Sequence, residues 1–160
     1  MHDIDSQDIF FMRRAIDLAR EAKNANEVPV GAVVVVGDYD KKIIGEGFNC
    51  KVAKSDPTAH AEMVALRQAS QSLNQYHLLG ATIYTTIEPC VMCVGGMLNA
   101  KIKRLVFGGL FEDMGGVKSV FRLLDDKKLT HRIQYQGGVL ADECGKLLND
   151  FFEAQKKLRS

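Results

Sequence analysis

The chain has 160 residues and almost no excess of charge of either sign. It carries 21 lysines and arginines against 20 aspartates and glutamates, which gives a net charge of +1. A balance so close to zero provides no general attraction to nucleic acid or to a membrane surface. Any polyanion that binds this chain must therefore be held by a local cluster of cations.

Long hydrophobic runs are absent as well. The longest apolar stretch, residues 28–36, is interrupted by Pro29 and Gly31 and is far too short to span a bilayer. The first ten residues, MHDIDSQDIF, begin with acids and lack the apolar segment of a secretory signal. We therefore expect a cytoplasmic protein with no membrane partner, in a compartment where thiols stay reduced.

The sequence also lacks internal repeats, linkers and low-complexity segments. Hydrophobic residues make up 46% and charged residues 26%, as in ordinary soluble globular proteins. The length is sufficient for one domain with a substantial core. These features predict a single domain over residues 1–160.

Helical and strand-like apolar patterns alternate along the chain. The pattern predicts helices at 7–25, 58–72, 90–99, 119–124 and 139–158, and strands at 30–36, 41–49, 81–87, 104–108 and 131–136. Ser6 and Thr58 are the expected N-caps of the first two helices. Such alternation predicts an α/β layer fold around a central sheet.

Two of the four cysteines form a C-x-x-C pair, Cys90 and Cys93, at the start of a predicted helix. In a reducing compartment this spacing favours a metal site or a redox site over a structural disulfide. The helix N-terminus lowers thiol pKa, so both residues are expected to be thiolates. Two thiolates chelate a borderline cation, most commonly zinc.

His60 begins another predicted helix and is the candidate third ligand. Three protein ligands leave one tetrahedral position for water, which is typical of catalytic zinc, and zinc lowers the pKa of bound water to about 7. Glu62 follows two residues later and is placed to move a proton from that water to a leaving group. This chemistry suits hydrolysis of an amidine-like carbon with loss of ammonia.

A closed structural zinc site is the main rival interpretation. It would need Cys50 or Cys144 as a fourth ligand and would leave Glu62 without a role. Cys144 lies in a helix with apolar periodicity and is expected in the core. Taken together, the H-x-E segment, Pro89 and the C-x-x-C pair match the H-x-E…P-C-x-x-C signature of zinc deaminases.

Longer segments carry a more specific resemblance over nearly the whole chain. The matching stretches are EVPVGAV at 27–33, GEGFN at 45–49, DPTAHAE at 56–62, EPCVMC at 88–93, LADEC at 140–144 and DFF at 150–152. In these the chain resembles the bacterial tRNA-specific adenosine deaminases of the cytidine deaminase superfamily.

The resemblance implies a three-layer α/β/α cytidine-deaminase-like fold with a five-stranded mixed central sheet, and a homodimer with one Zn²⁺ per subunit and no organic cofactor. The implied reaction converts adenosine to inosine at the wobble position of a tRNA anticodon stem-loop, with Glu62 as proton shuttle. The residues implied to hold zinc are His60, Cys90 and Cys93. Those implied to contact the flipped nucleoside are Asn49, Val30, Ile87 and the backbone of Ala61.

One segment departs from the family pattern. After Phe107 and Gly108 the family usually has Asp or Asn and, two positions later, a basic residue; here Phe111 and Asp113 occupy those places, with Glu112 between them. Acids would repel phosphate, whereas an aromatic ring packs or stacks on a base. A free base or nucleoside therefore remains an alternative substrate, and a structural-zinc interaction domain is a third hypothesis. If RNA is the substrate, cations must gather near the zinc site.

Overall fold

The computed structural model describes residues 5–159. Its helices are α1 (Ser6–Asn24), α2 (Lys51–Lys54), α3 (Ala61–Leu73), α4 (Val91–Asn99) and α5 (Ala141–Arg159). Its strands are β1 (Gly31–Val36), β2 (Lys42–Phe48), β3 (Thr82–Ile87), β4 (Arg104–Gly109) and β5 (Gln134–Gln136). In this part of the chain, no helix combines the length and the apolarity needed to cross a membrane.

The strands form one mixed sheet in the order β2-β1-β3-β4-β5. Strand β1 pairs antiparallel with β2 and with β3, whereas β3, β4 and β5 run parallel to one another. Helix α4 connects β3 to its parallel neighbour β4, as expected for a crossover between parallel strands. The prediction of a five-stranded mixed sheet is confirmed.

Helices cover both faces of the sheet, and the sequence of β1 explains why. Val33 and Val35 pack with α1 and α5 on one face, whereas Ala32 and Val34 pack with α3 and α4 on the other. Because successive side chains of a strand point to opposite faces, a continuous apolar run is typical of a strand buried on both sides. The α/β/α layering is therefore also as predicted.

Several predicted element ends were wrong. Asp5 caps α1 in place of Ser6, because its Oδ1 accepts a hydrogen bond of 2.9 Å from the Gln7 amide. Thr58 does not cap α3: its amide and hydroxyl both donate to Oδ1 of Asp56 in a local turn, and the helix begins only after His60. Residues 50–57, between a predicted strand and a predicted helix, contain the short helix α2. The helix expected at 119–124 is reduced to a 3₁₀ turn at Leu123–Asp125.

Helix α3 lies unusually close to β2 because two glycines remove the side chains between them. A Cβ atom on Gly47 would lie 2.4 Å from the carbonyl oxygen of Ala61, and one on Gly45 would lie 2.3 Å from that of Ala65. Neither glycine has room for a side chain. The contact at Gly47 sets the position of the first residue of α3, and therefore of His60 and Glu62 on either side of it.

Helix α1 is attached to the sheet by a buried carboxylate. Asp8 is 1% exposed and accepts two hydrogen bonds of 2.8 Å from the guanidinium of Arg104 on β4 and one of 2.8 Å from the hydroxyl of Tyr84 on β3. Burial opposes the charge of Asp8, but the donors outweigh it and hold the pKa below its ordinary value of 3.8.

Asp8→Asn should lower the free energy of unfolding by about 3 kcal/mol near neutral pH, because it leaves a largely buried guanidinium without its counter-ion. Since the folded pKa of Asp8 is depressed, its contribution is present above about pH 4 and is lost as pH falls further. The gap between wild type and variant, measured by urea unfolding, should therefore narrow from about pH 6 to about pH 3. Asp17→Asn, which breaks an exposed pair with Arg20, is the control and should change stability little. Equal stability of wild type and Asp8→Asn at pH 7 would contradict this account.

Candidate metal centre and active site

His60, Cys90 and Cys93 converge to form a compact group of ligand atoms. Nδ1 of His60 lies 3.5 Å from each sulfur, and the two sulfurs lie 3.7 Å apart. Metal–sulfur bonds of about 2.3 Å and a metal–nitrogen bond of about 2.0 Å at tetrahedral angles require separations of about 3.8 Å between sulfurs and about 3.5 Å from nitrogen to sulfur. The three side chains therefore fit a tetrahedral cation such as zinc.

The fold brings these ligands together by starting two helices at the same place. His60 immediately precedes α3, and Cys90 immediately precedes α4, on the same face of the sheet. Strand β3 ends at Ile87, so the ligand segment begins only three residues beyond the sheet. Cys93 lies one turn into α4 and is fully buried.

The two thiols differ in pKa. Contact with the sulfur of Cys93 and a hydrogen bond with His60 lower the pKa of Cys90 to about 4. The pKa of Cys93 is raised by its contact with the sulfur of Cys90 and by burial. A bound cation favours the deprotonated form of both sulfurs, because a metal ligand must give up its proton to bind.

The other two cysteines stand apart from this group. Cys50 donates its thiol to the carbonyl oxygen of Phe48 at 3.0 Å, and Cys144, a residue of α5, is buried on the opposite face of the sheet. Within residues 5–159, the candidate metal group consists of His60, Cys90 and Cys93 only. This geometry does not provide the fourth cysteine that a closed structural site would need.

Glu62 lies beside the metal group, in the first turn of α3. It is 4% exposed and lines a cavity of about 250 Å³ together with His60 and Cys90. Burial raises the pKa of Glu62, although a hydrogen bond from Cys93 and the nearby His60 oppose the shift. A raised pKa makes the carboxylate a stronger base, which suits a group that takes up a proton and passes it on.

The same cavity contains all four residues expected to contact a substrate. Val30, Asn49, Ala61 and Ile87 line it. The other lining residues are Val28, Lys51, Glu88, Phe111, Leu148 and Phe152. Of these, the sequence pointed to Phe111, as a departure from the family pattern, and assigned no substrate contact to the rest. Leu148 and Phe152 come from α5, far along the chain, and only the DFF segment that matched the family pattern pointed toward them.

Asn49 has an unusual environment within this cavity. The backbone amide of Asn49 donates to the carbonyl oxygen of Val30 at 3.2 Å, which fixes the position of Asn49 just after β2. Its side-chain Oδ1 is the one buried polar side-chain atom among residues 5–159 that has no hydrogen-bond partner. A buried acceptor without a donor costs free energy, which is recovered when a ligand supplies the donor.

Residues 111–119, called the divergent loop because they begin with the departure from the family pattern, border the cavity with both apolar and acidic side chains. The ring of Phe111 is partly buried in the wall, whereas Glu112 and Asp113 are exposed. Asp113 also lines a neighbouring cavity of about 670 Å³ together with Lys51, Lys156 and Arg159. Cations therefore gather beside the site, but the separation of charges expected for RNA binding is incomplete.

Comparison with known proteins agrees with this geometry. Residues 5–109 match the family model described as the cytidine and deoxycytidylate deaminase zinc-binding region. The tRNA-specific adenosine deaminase of Haemophilus influenzae is 46% identical over 146 residues, which cover 91% of this chain and 83% of that protein.

Two solved structures are also similar. A chain from structural studies of A-to-I editing by tRNA:A34 deaminases matches with a TM-score of 0.82 at 35% identity, covering 87% of this chain and 99% of that one. Guanine deaminase from Bacillus subtilis matches with a TM-score of 0.61 at 30% identity, covering 96% of this chain and 95% of that one. By the extent and identity of these matches, the chain belongs to the family of tRNA-specific adenosine deaminases, within the zinc-binding cytidine and deoxycytidylate deaminases.

Proposed function

We propose that this chain is a single-domain, zinc-dependent deaminase that converts adenosine to inosine at the wobble position of a tRNA anticodon. It acts in the cytoplasm as a homodimer with one Zn²⁺ per subunit. One observation carries the proposal: the buried carboxyl group of Glu62 and the unpaired Oδ1 of Asn49 line a single cavity that also contains His60 and Cys90. The tRNA substrate is drawn from the relatives of the chain, and the homodimer from its resemblance to the family.

His60, Cys90 and Cys93 would hold the zinc, since their spacing fits a tetrahedral ion and leaves one position free. When bound, zinc supplies the Lewis acidity that activates water at neutral pH. The three side chains fix that chemistry at one end of the cavity, next to Glu62.

Glu62 moves the protons of the reaction. Its carboxylate takes a proton from the attacking water and gives it to N1 of adenine as the water oxygen forms a bond to C6; it then takes the second proton of that oxygen and gives it to the exocyclic nitrogen, which leaves as ammonia. The C6–N6 bond breaks and a carbonyl forms, so the product is inosine. Burial of Glu62 favours the protonated form that the second step needs.

Asn49 and the apolar walls hold the base that reacts. Oδ1 of Asn49 accepts a hydrogen bond from the nucleoside, while Val30 and Ile87 contact its faces and the backbone of Ala61 contacts its edge. A base can enter only after leaving its stack, which is least costly in a single-stranded anticodon loop. Lys51, Lys156 and Arg159 lie next to the cavity and supply positive charge for the phosphates.

The test is deamination of an anticodon stem-loop with adenosine at the wobble position by zinc-loaded protein. We expect inosine at that position and no change in a matched stem-loop whose only loop adenosine is one nucleotide away. Guanine, cytosine and free adenosine are assayed in parallel for ammonia. Ammonia from a free base without inosine in the stem-loop would replace this proposal with a small-molecule deaminase, and a fully zinc-loaded protein that is silent on every substrate would refute both.

A further inference from the structure

Glu88 is a buried carboxylate that takes no part in the chemistry described above. It lies between Ile87, in the cavity wall, and the ligand segment that begins at Cys90, and it is 2% exposed. Among the described residues no cation pairs with it; its partners are backbone amides and one hydroxyl. A buried charge held in this way has a strong requirement for its donors.

All five donors come from the divergent loop. Oε2 accepts from the amides of Val117, Lys118 and Ser119 at 3.0, 2.7 and 3.0 Å. Oε1 accepts from the amide of Phe111 at 3.1 Å and from the hydroxyl of Ser119 at 2.5 Å. The carboxylate therefore joins the two ends of a nine-residue segment, 111–119, to the residue just before Pro89.

Phe111 is the member of this segment that reaches the active site. It lines the candidate cavity and also a second cavity along α5, as Leu148 and Phe152 do, so it forms part of the wall between them. Its amide is held by Glu88, and its carbonyl oxygen accepts from Gly115 at 2.7 Å. Both the amide and the carbonyl group of Phe111 are thus hydrogen-bonded, which fixes the position of its Cβ atom.

The packing around the carboxylate leaves no freedom in this arrangement. A Cβ atom on Gly115 would lie 2.3 Å from the carboxylate of Glu88, so only glycine allows the loop to close over it. Gly116 adds a hydrogen bond of 2.8 Å to the carbonyl oxygen of Pro89. The loop is tied to the ligand segment from both directions.

We propose that Glu88 is a positioning residue: its carboxylate holds the 111–119 loop so that the ring of Phe111 forms the wall against which the target base binds. The inference rests on the proposed function for the identity of that base. It assigns the loop that departs from the family pattern a role in binding substrate, through an aromatic ring in place of a polar side chain. It also separates this role from the chemical step, which Glu62 performs.

Glu88→Gln tests the proposal because an amide can satisfy only one side of the loop. If the amide oxygen keeps the three donors at 117–119, the NH₂ group faces the amide of Phe111 and that bond is lost. We expect KM for the stem-loop to rise about tenfold while kcat changes less than about threefold, because a wall contact binds substrate and transition state alike. Zinc content and melting temperature are measured on every variant.

A double-mutant cycle separates positioning from general destabilisation. Phe111→Ala alone should raise KM to a similar extent, and Glu88→Gln should add little in that background, since the ring it positions is gone. Met114→Ala is the control: its exposed side chain lies in the same loop and it is not one of the five donors to Glu88, so KM should stay near wild type. Additive effects of Glu88→Gln and Phe111→Ala would overturn the proposal.

Hydrogen exchange provides a readout that does not depend on activity. In the wild type the amide of Phe111 should be protected, and in Glu88→Gln it should exchange faster while the amides of 117–119 stay protected. Exchange of the wild-type Phe111 amide at the rate of an exposed amide would overturn the proposal, even if the variant does not fold. If the Phe111 amide is protected but the protein does not deaminate the stem-loop, the proposed function is refuted, while the role of Glu88 in holding the 111–119 loop stands.

Discussion

Glu62→Gln should abolish deamination while leaving the metal in place. The amide has nearly the same volume as the carboxyl group and keeps the cavity filled, but it can neither accept the proton of the attacking water nor return one to the leaving nitrogen. General acid–base catalysis contributes about 10² to 10⁴ in rate, and here one residue serves both steps, so we expect a loss of at least about 10³ in kcat. The measurement is single-turnover inosine formation in the stem-loop.

Two companion measurements show whether the loss is chemical. Zinc per chain and melting temperature should match wild type, because Glu62 is not one of the three ligand residues. Glu153→Gln changes a carboxyl group that lines only the neighbouring cavity and should retain turnover. A Glu62→Gln protein that keeps its activity would remove Glu62 from the mechanism and would require another group to move the protons.

Cys90→Ala should release the zinc and with it the activity. The thiolate of Cys90 is the ligand whose charge the site already stabilises, with a pKa of about 4, and its removal leaves one sulfur and one nitrogen. Two ligands cannot enclose a tetrahedral ion, so we expect zinc content well below one per chain and deamination reduced by at least about 10³-fold.

Cys50→Ala is the matched control for that experiment. Cys50 is also a buried free thiol, but its sulfur donates to the carbonyl oxygen of Phe48 and lies outside the ligand group. The variant should keep a full complement of zinc. Loss of zinc from Cys50→Ala as complete as that from Cys90→Ala would mean that a fourth cysteine closes the site, which is the arrangement expected of structural zinc.

The metal group could be predicted from sequence because its geometry is nearly local. Cys90 and Cys93 lie one helical turn apart, and His60 stands at a helix start, so chain order already orients the ligand atoms. Element ends were less predictable, because the choice between Thr58 and His60 as the residue preceding α3 depends on whether the Thr58 hydroxyl turns to Asp56 or to the helix. No periodicity in the sequence encodes that competition.

The walls of the cavity depend on contacts between distant parts of the chain. Asn49 and Val30 could be named because the segments around them match a family pattern, whereas Lys51 carried no such signal. Phe152 reaches the cavity only because α5 packs across the sheet, which no local pattern reveals. Glu88 belongs to the segment that matches the zinc motif, and the sequence did not predict its hydrogen bonds to the 111–119 loop.

The close contact between Gly47 and Ala61 fixes α3 on β2, so the distances within the metal group depend on the spacing between α3 and α4. His60 belongs to the body formed by β2 and α3, whereas Cys90 and Cys93 belong to α4, and the two bodies meet where Met63 packs on Gly96. A small shift between the helices would change both distances from Nδ1 of His60 to the sulfurs, while the distance between the sulfurs would stay the same. The affinity for zinc should therefore change with shifts between α3 and α4 that are too small to alter the melting temperature. A bound ion would in turn link the unit formed by β2 and α3 to α4.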